Sequence, residues 1–567
     1  MNGKINYDAA VSINLLQTLA VTASNPKDII EAVGITEDEI MNGTTLMVNV
    51  EKQELTEAII STIDKAEKMK GEVPLPLAAV DISLLKQYAD GKSDAVTSTY
   101  GMLKFVLAVP EGTDTSKTFA VARIHDGTVE WLEDLDDNPG TVTIETDKFS
   151  LYVISGIDVV TDQEIADSSV YSTGNLSRLT KVMEKAKRGE TVTIAYLGGS
   201  ITNGSVATPK DTNCYAYLTT QWWNKTFPDA KINYVNAGIG ATDSYLGVHR
   251  VAQDVLSKNP DLVVVEFSVN DYRDHNKESY ESLIRRILEY KTDPTVVSLC
   301  LTQFSADGQC IDYREYHKEI ADYYQVPVVS YGDVVGPGLE NGTIRWNQLG
   351  PSDDLTHPNN AGHKIISRCM SYFYGQVLED MKNHSYGDYS TYELPGETVT
   401  ESKYENGTIL DHRSGSGDGI RVSGSDVSKV TVKNAQFPYG WQTDSGSDIT
   451  FTIENATNMG LIYYGGMEEN YGIFDVYVGD QYVNTIDTYF YGSWGSHADY
   501  NLLLTSGTKG PHTVRITKNE NSKGNRFTIL GFTVSSSDTS PASYVDETEP
   551  ELIKEEQENP NGQEEII

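Results

Sequence analysis

From Thr191 to Thr202 the chain reads TVTIAYLGGSIT, a continuous apolar run rich in β-branched residues that stops at Gly198-Gly199 and presents Ser200. A strand buried on both faces shows this unbroken pattern, and paired glycines at its end permit a sharp turn and close approach of a ligand. Similar runs follow at 231–236, 261–268, 295–301 and 326–330, separated by helix-length amphipathic stretches at about 213–227, 242–257, 278–291 and 311–324. Strands separated by helices need crossover connections, so the pattern predicts a three-layer α/β/α domain with a five-stranded parallel sheet. Before it, Arg178–Gly189 (RLTKVMEKAKRG) reads as an amphipathic helix closed by Gly189, and a last helix starts after His357-Pro358 and runs to about Leu378.

The flanks change period. Between Ala9 and about Gly156 one helix is predicted, Glu54–Lys68, with Leu55, Ile59, Ile60 and Ile63 on one face. Strand-like runs follow at Leu103–Val109, Thr118–Ile124, Val129–Leu132, Thr141–Glu145 and Phe149–Ile154, with turn chemistry at His125-Asp-Gly and Asn138-Pro-Gly. They predict a small antiparallel sandwich, and residues 80–156 resemble the β-rich accessory modules of large bacterial surface and secreted proteins. From about Lys403 to Ser535, short alternating runs with Gly-, Asn- and Asp-rich turns predict a jelly-roll-like β-sandwich. The chain is thus read as multidomain: an N-terminal β-rich module (1–158), the α/β domain (159–385), the C-terminal sandwich (386–536) and an acidic, disordered tail (537–567).

Composition narrows the partners. Among 567 residues, 82 Asp+Glu against 44 Lys+Arg leave a formal charge of −38. Such a surface repels phosphate backbones and anionic membranes, which excludes nucleic acid as a partner and suits a neutral substrate. No apolar run approaches the ~20 residues of a membrane helix, and the opening MNGKINYDAAVSIN shows no basic stretch followed by an apolar core, so no signal peptide is read there. Cys214, Cys300, Cys310 and Cys369 lack CxxC spacing, and buried free thiols are expected of them rather than a Cys300–Cys310 pair. No cluster among the ten histidines has metal-ligand spacing, so neither metal nor cofactor is expected.

Four pieces of the α/β domain fall beyond strand ends or before the last helix: Ser200; Asn236-Ala-Gly-Ile-Gly-Ala-Thr-Asp-Ser244; Phe267-Ser-Val-Asn-Asp271; and Asp354-Leu-Thr-His357. Taken singly, Ser200 and Asp354 read as helix caps and Asn270 as a strand-end turn residue. Together they supply acyl transfer: a serine hydroxyl, a histidine to take its proton, a carboxylate to hold that histidine's tautomer, and donors for a tetrahedral oxyanion. The donors would be Ser200 N–H, a backbone N–H of the Gly238–Ala241 turn and the Asn270 amide. Asp243 and Asp271 read as cap and turn residues, His363 as structural.

The blocks GGSIT, NAGIGATDS, FSVND and DLTHPNNAGH, in this order, resemble the SGNH (GDSL-like) hydrolases over about residues 178–380. The resemblance implies a flavodoxin-like fold, Ser200 as nucleophile, His357 as base and then acid, Asp354 as orienting carboxylate, and Ser200, a second-block glycine and Asn270 as oxyanion donors. Two departures stand out: Gly-Gly-Ser replaces Gly-Asp-Ser, and the second-block donor is Gly238, Gly240 or Ala241 by register, Gly240 being favoured. Members of this GGSIT type with an added sandwich look like carbohydrate esterases, which implies deacetylation of plant-wall xylan or mannan by a secreted or cell-surface multimodular protein. Trp441, Trp494 and Tyr489 are the candidates for stacking on sugar, against the core role common to sandwich aromatics. A lipase or lysophospholipase, and a non-catalytic glycan-binding surface protein, are the alternatives.

Overall fold

The computed structural model describes residues 5–15, 24–66, 74–110, 113, 117–136, 138, 140–157, 159–384, 386–433, 436–491 and 496–536. Trp494, the acidic tail and the end of the expected Glu54–Lys68 helix lie outside them. No helix among the described residues is long and apolar enough to cross a membrane.

In the central domain a six-stranded sheet is built from β1 (Val170–Ser172), β2 (Val192–Gly198), β3 (Ile232–Gly238), β4 (Leu262–Glu266), β5 (Thr295–Cys300) and β6 (Val328–Ser330), in the order β1-β6-β5-β4-β2-β3. The last five are mutually parallel; β1 is an antiparallel edge strand that its three residues were too short to announce. One apolar core lies under α1 (Ser177–Lys187), α2 (Tyr215–Thr226) and α6 (Asn360–Asp380), the other under α3 (Ser244–Asp254), α4 (Asn276–Leu288) and α5 (Arg314–Tyr323). Every residue of β2 and of β4 is buried, which is why both read as unbroken apolar runs. From β2 the chain adds β3 on one side, then crosses back to add β4, β5 and β6 on the other. That reversal opens the crevice at the carboxyl end of β2, where open α/β sheets bind ligands.

The N-terminal module departs from the expected antiparallel sandwich. Its seven-stranded sheet includes Val11–Leu15, Thr45–Gln53 and Leu75–Gln87, and the first two pair in parallel. No strand is predicted at Leu75–Gln87, yet Ala78, Val80, Ile82 and Leu84 enter one core from it, while Ala79 on the opposite face packs toward the helix Glu57–Lys65.

The C-terminal module pairs a six-stranded with a five-stranded sheet around one core. The outer face of the larger sheet is covered as well. Ile462, Ala498, Tyr500 and Leu530 join the core beneath α3 and α4, so Phe527–Ser535 is buried almost throughout. The stretch 386–405 that leads into this module straps α4: the Glu281 carboxylate accepts the N–H groups of Val399 and Thr400, each at 2.6 Å, and the Tyr324 hydroxyl at 2.6 Å. All four cysteines are free thiols.

Candidate active site

The turn after β2 is dictated by its glycines. A Cβ on Gly198 would stand 2.2 Å from Thr202 Oγ1 and 2.6 Å from the Glu266 carbonyl; one on Gly199 would stand 2.6 Å from Asn270 Oδ1. Only glycine lets β2 run into the single helical turn Ser200–Asn203 at this closeness, and Gly204, at φ +93°, ends that turn.

His357 comes from the loop ahead of α6. The Asp354 carboxylate accepts the N–H groups of Thr356 (3.0 Å) and His357 (3.2 Å), folding the loop around itself, and Trp346 Nε1 clamps the Asp354 carbonyl at 2.8 Å. Asp354 Oδ2 then accepts His357 Nδ1–H at 2.6 Å, and His357 Nε2 faces Ser200 Oγ at 2.7 Å. With its Nδ1 proton committed to the carboxylate, the imidazole presents a lone pair to the serine hydroxyl. The structure thus brings together three residues that the sequence spreads over 157 positions.

Gly240 and Asn270 flank Ser200. A Cβ on Gly240 would lie 3.8 Å from Ser200 Cβ, and Asn270 lies against Gly199. Gly238 is already committed: its N–H donates to Asn236 Oδ1 at 2.9 Å, and a Cβ there would meet the Asn203 nitrogen at 2.2 Å. Ala241 takes a left-handed φ of +57°.

Three buried polar groups brace the strand ends and loops around the crevice. Glu266, the last residue of β4, accepts Gly199 N–H at 3.4 Å and the Thr202 hydroxyl at 2.8 Å. Arg250 ties β2 to β3 by donating to the carbonyls of Gly198 (3.0 Å) and Ala237 (2.7 Å). Asp271 accepts Ser244 N–H at 2.7 Å and meets His317 Nε2 at 2.8 Å, a larger role than the turn expected of it. Burial pushes both partners of that pair toward their neutral forms. Asp243 does cap α3, accepting Leu246 N–H at 3.0 Å. His363 is structural as expected: it accepts Tyr215 N–H, stacks on that ring, and is pushed down to about 4 by burial. A charge at the end of an otherwise apolar strand was the one available signal for Glu266.

Burial pushes the Glu266 carboxyl up to about 8, against about 4.3 in an unfolded chain. Between those values the folded state holds a proton that the unfolded state has lost, so this group's contribution is complete below the unfolded value and is lost as pH rises through about 8. The slope is ~1.4 kcal/mol per pH unit. Glu266→Gln keeps the shape without the titration. The guanidinium midpoint of the variant minus that of the wild type, measured from pH 5 to 8, is expected to shift in the variant's favour as pH rises.

The sugar-stacking candidates fare differently. Trp441 is 2% exposed and packs edge-on to Phe451 in the sandwich core, so it is not a surface platform. Tyr489 is half-buried, its ring against Tyr491, which is 80% exposed.

The GDSL-like lipase/acylhydrolase family profile matches residues 196–365, from the end of β2 into α6. A two-domain esterase active on acetylated mannans, co-crystallised with mannopentaose, is 31% identical to this chain. The match covers 66% of this chain and 98% of that one, with a TM-score of 0.57. The chain belongs to this SGNH (GDSL-like) family. A second structure of a two-domain esterase active on acetylated mannans matches at the same identity and coverage with a TM-score of 0.59. None of the curated proteins compared matches. As a member of the SGNH family the protein is a carboxylic ester hydrolase.

Proposed function

We propose that this SGNH protein removes acetyl groups from the hydroxyls of plant-wall polysaccharide, mannan before xylan, outside the cell. The observation that carries the proposal is the Asp354–His357–Ser200 relay, with contacts of 2.6 and 2.7 Å. The 31% identity to mannan-active esterases and the −38 charge, suited to a neutral polymer, support the substrate class.

In the reaction, Ser200 Oγ attacks the acetyl carbonyl as its proton passes to His357 Nε2. Asp354 steadies the imidazolium at Nδ1. The carbonyl oxygen becomes an oxyanion held by the backbone N–H groups of Ser200 and Gly240 and by the Asn270 amide. Collapse breaks the bond to the sugar oxygen, which takes the His357 proton and leaves. Water, deprotonated by the same nitrogen, then cleaves the acetyl-serine ester and frees acetate. No step requires a metal or cofactor.

Release of acetate from acetylated mannan, acetylated xylan and a long-chain 4-nitrophenyl ester separates the readings. Mannan deacetylation well above xylan is the expected result. Cleavage of the long-chain ester alone would make the protein a lipase, and silence on all three would leave a glycan-binding role.

A further inference from the structure

Two of the three proposed oxyanion donors lie on loops of the catalytic domain outside the Ser200 turn, Gly240 on 239–243 and Asn270 on 270–275. Neither loop belongs to the C-terminal sandwich, yet both end on it. Tyr500, 5% exposed, donates its hydroxyl to Asp243 Oδ2 at 2.5 Å and, having no second proton, accepts His275 Nε2–H at 2.7 Å. Arg273 lies over the Tyr500 ring at 3.9 Å and donates to Asp499 Oδ1 at 2.6 Å.

We propose that Tyr500 is a positioning residue for the esterase reaction: by joining Asp243 to His275 across the domain boundary it fixes the spacing of the two loops that carry Gly240 and Asn270. The sandwich then contributes to the reaction of every ester, including those with no sugar.

The loops are already cross-linked where Tyr500 meets them. Asn276 donates to Asp243 Oδ2 at 3.1 Å and accepts Arg273 N–H at 2.7 Å, while Asp271 holds Ser244 N–H. Ala241, two residues before Asp243, sits at φ +57°, a conformation that persists only where its surroundings over-determine it. Without the hydroxyl, Asp243 Oδ2 loses its shortest donor and the half-buried His275 Nε2–H loses its acceptor. Both loops can then relax, and misplacement of catalytic groups by about 1 Å can cost on the order of 100-fold in rate.

This inference rests on the acyl-transfer reading of Ser200. The test is steady-state kinetics of the full chain on 4-nitrophenyl acetate, an ester with no sugar, for wild type, Tyr500→Phe, Asp499→Asn, Thr533→Val and Ser200→Ala. The Thr533 hydroxyl bonds Tyr245 at 2.7 Å across the same interface, and the Tyr245 ring packs on Tyr500 and His275, so Thr533→Val loosens the interface while leaving the Tyr500 hydroxyl and both its partners in place. Tyr500→Phe is expected to lower kcat roughly tenfold with KM within about twofold, Asp499→Asn to act in the same direction, and Thr533→Val to leave kcat unchanged. A Tyr500→Phe kcat within twofold of wild type, or an equal loss in Thr533→Val, overturns the proposal; should Tyr500→Phe not fold, Asp499→Asn decides on the same criterion. Full activity in Ser200→Ala would overturn the acyl-transfer reading itself, whereas an inactive Ser200→Ala beside an unaffected Tyr500→Phe removes the positioning role alone.

Discussion

Ser200→Ala is expected to lower kcat on any ester by between about 10⁴- and 10⁶-fold, the loss typical when a serine nucleophile is removed from an intact triad. The fold should be retained, because the Ser200 side chain points to His357 and is not in a core. His357→Ala is expected to cost a comparable factor, and the double variant little more than either single one. The two residues perform one act: His357 has no proton to take without the hydroxyl, and the hydroxyl is not activated without the imidazole. Stopped-flow or discontinuous acetate assays at high enzyme concentration check this. Additive losses would mean that the two residues work in separate steps.

Asn270→Ala is expected to reduce kcat about 100- to 1000-fold while KM changes little. The amide lies beside the Ser200 turn, against Gly199; in the proposed oxyanion role its contact with substrate strengthens only as the carbonyl oxygen gains charge. A group whose contribution appears only in the transition state moves kcat and kcat/KM together. Asn270→Asp, of the same shape but with no donor, is expected to do no better than alanine. A rise in KM at constant kcat would instead make Asn270 a ground-state binding residue.

The catalytic half of the molecule was legible because its physics is local. The strand β2 is buried on both faces and so continuously apolar, and the glycines after it mark a turn that a Cβ would block. The histidine lies three residues beyond its carboxylate, within one loop. What stayed hidden depends on contacts that local pattern does not carry. The antiparallel edge strand β1 has three residues. In Leu75–Gln87 the alternation is short, because Pro76 and Ala78-Ala79 interrupt it before Val80. Trp441 drew attention by residue type, yet an aromatic ring looks the same in sequence whether it fills a core or faces a sugar. Tyr500 and Asp243 meet across 257 residues, and nothing near either one in the chain foretells the other.

Covalent labelling tests most directly the claim that Ser200 is a nucleophile activated by His357. The protein would be treated with a fluorophosphonate, followed by intact mass measurement and peptide mapping. One phosphonyl group per wild-type chain on the peptide containing Ser200, none on Ser200→Ala and only slow labelling of His357→Ala is the expected result. Label on another residue, or an unlabelled protein that still releases acetate, would contradict it.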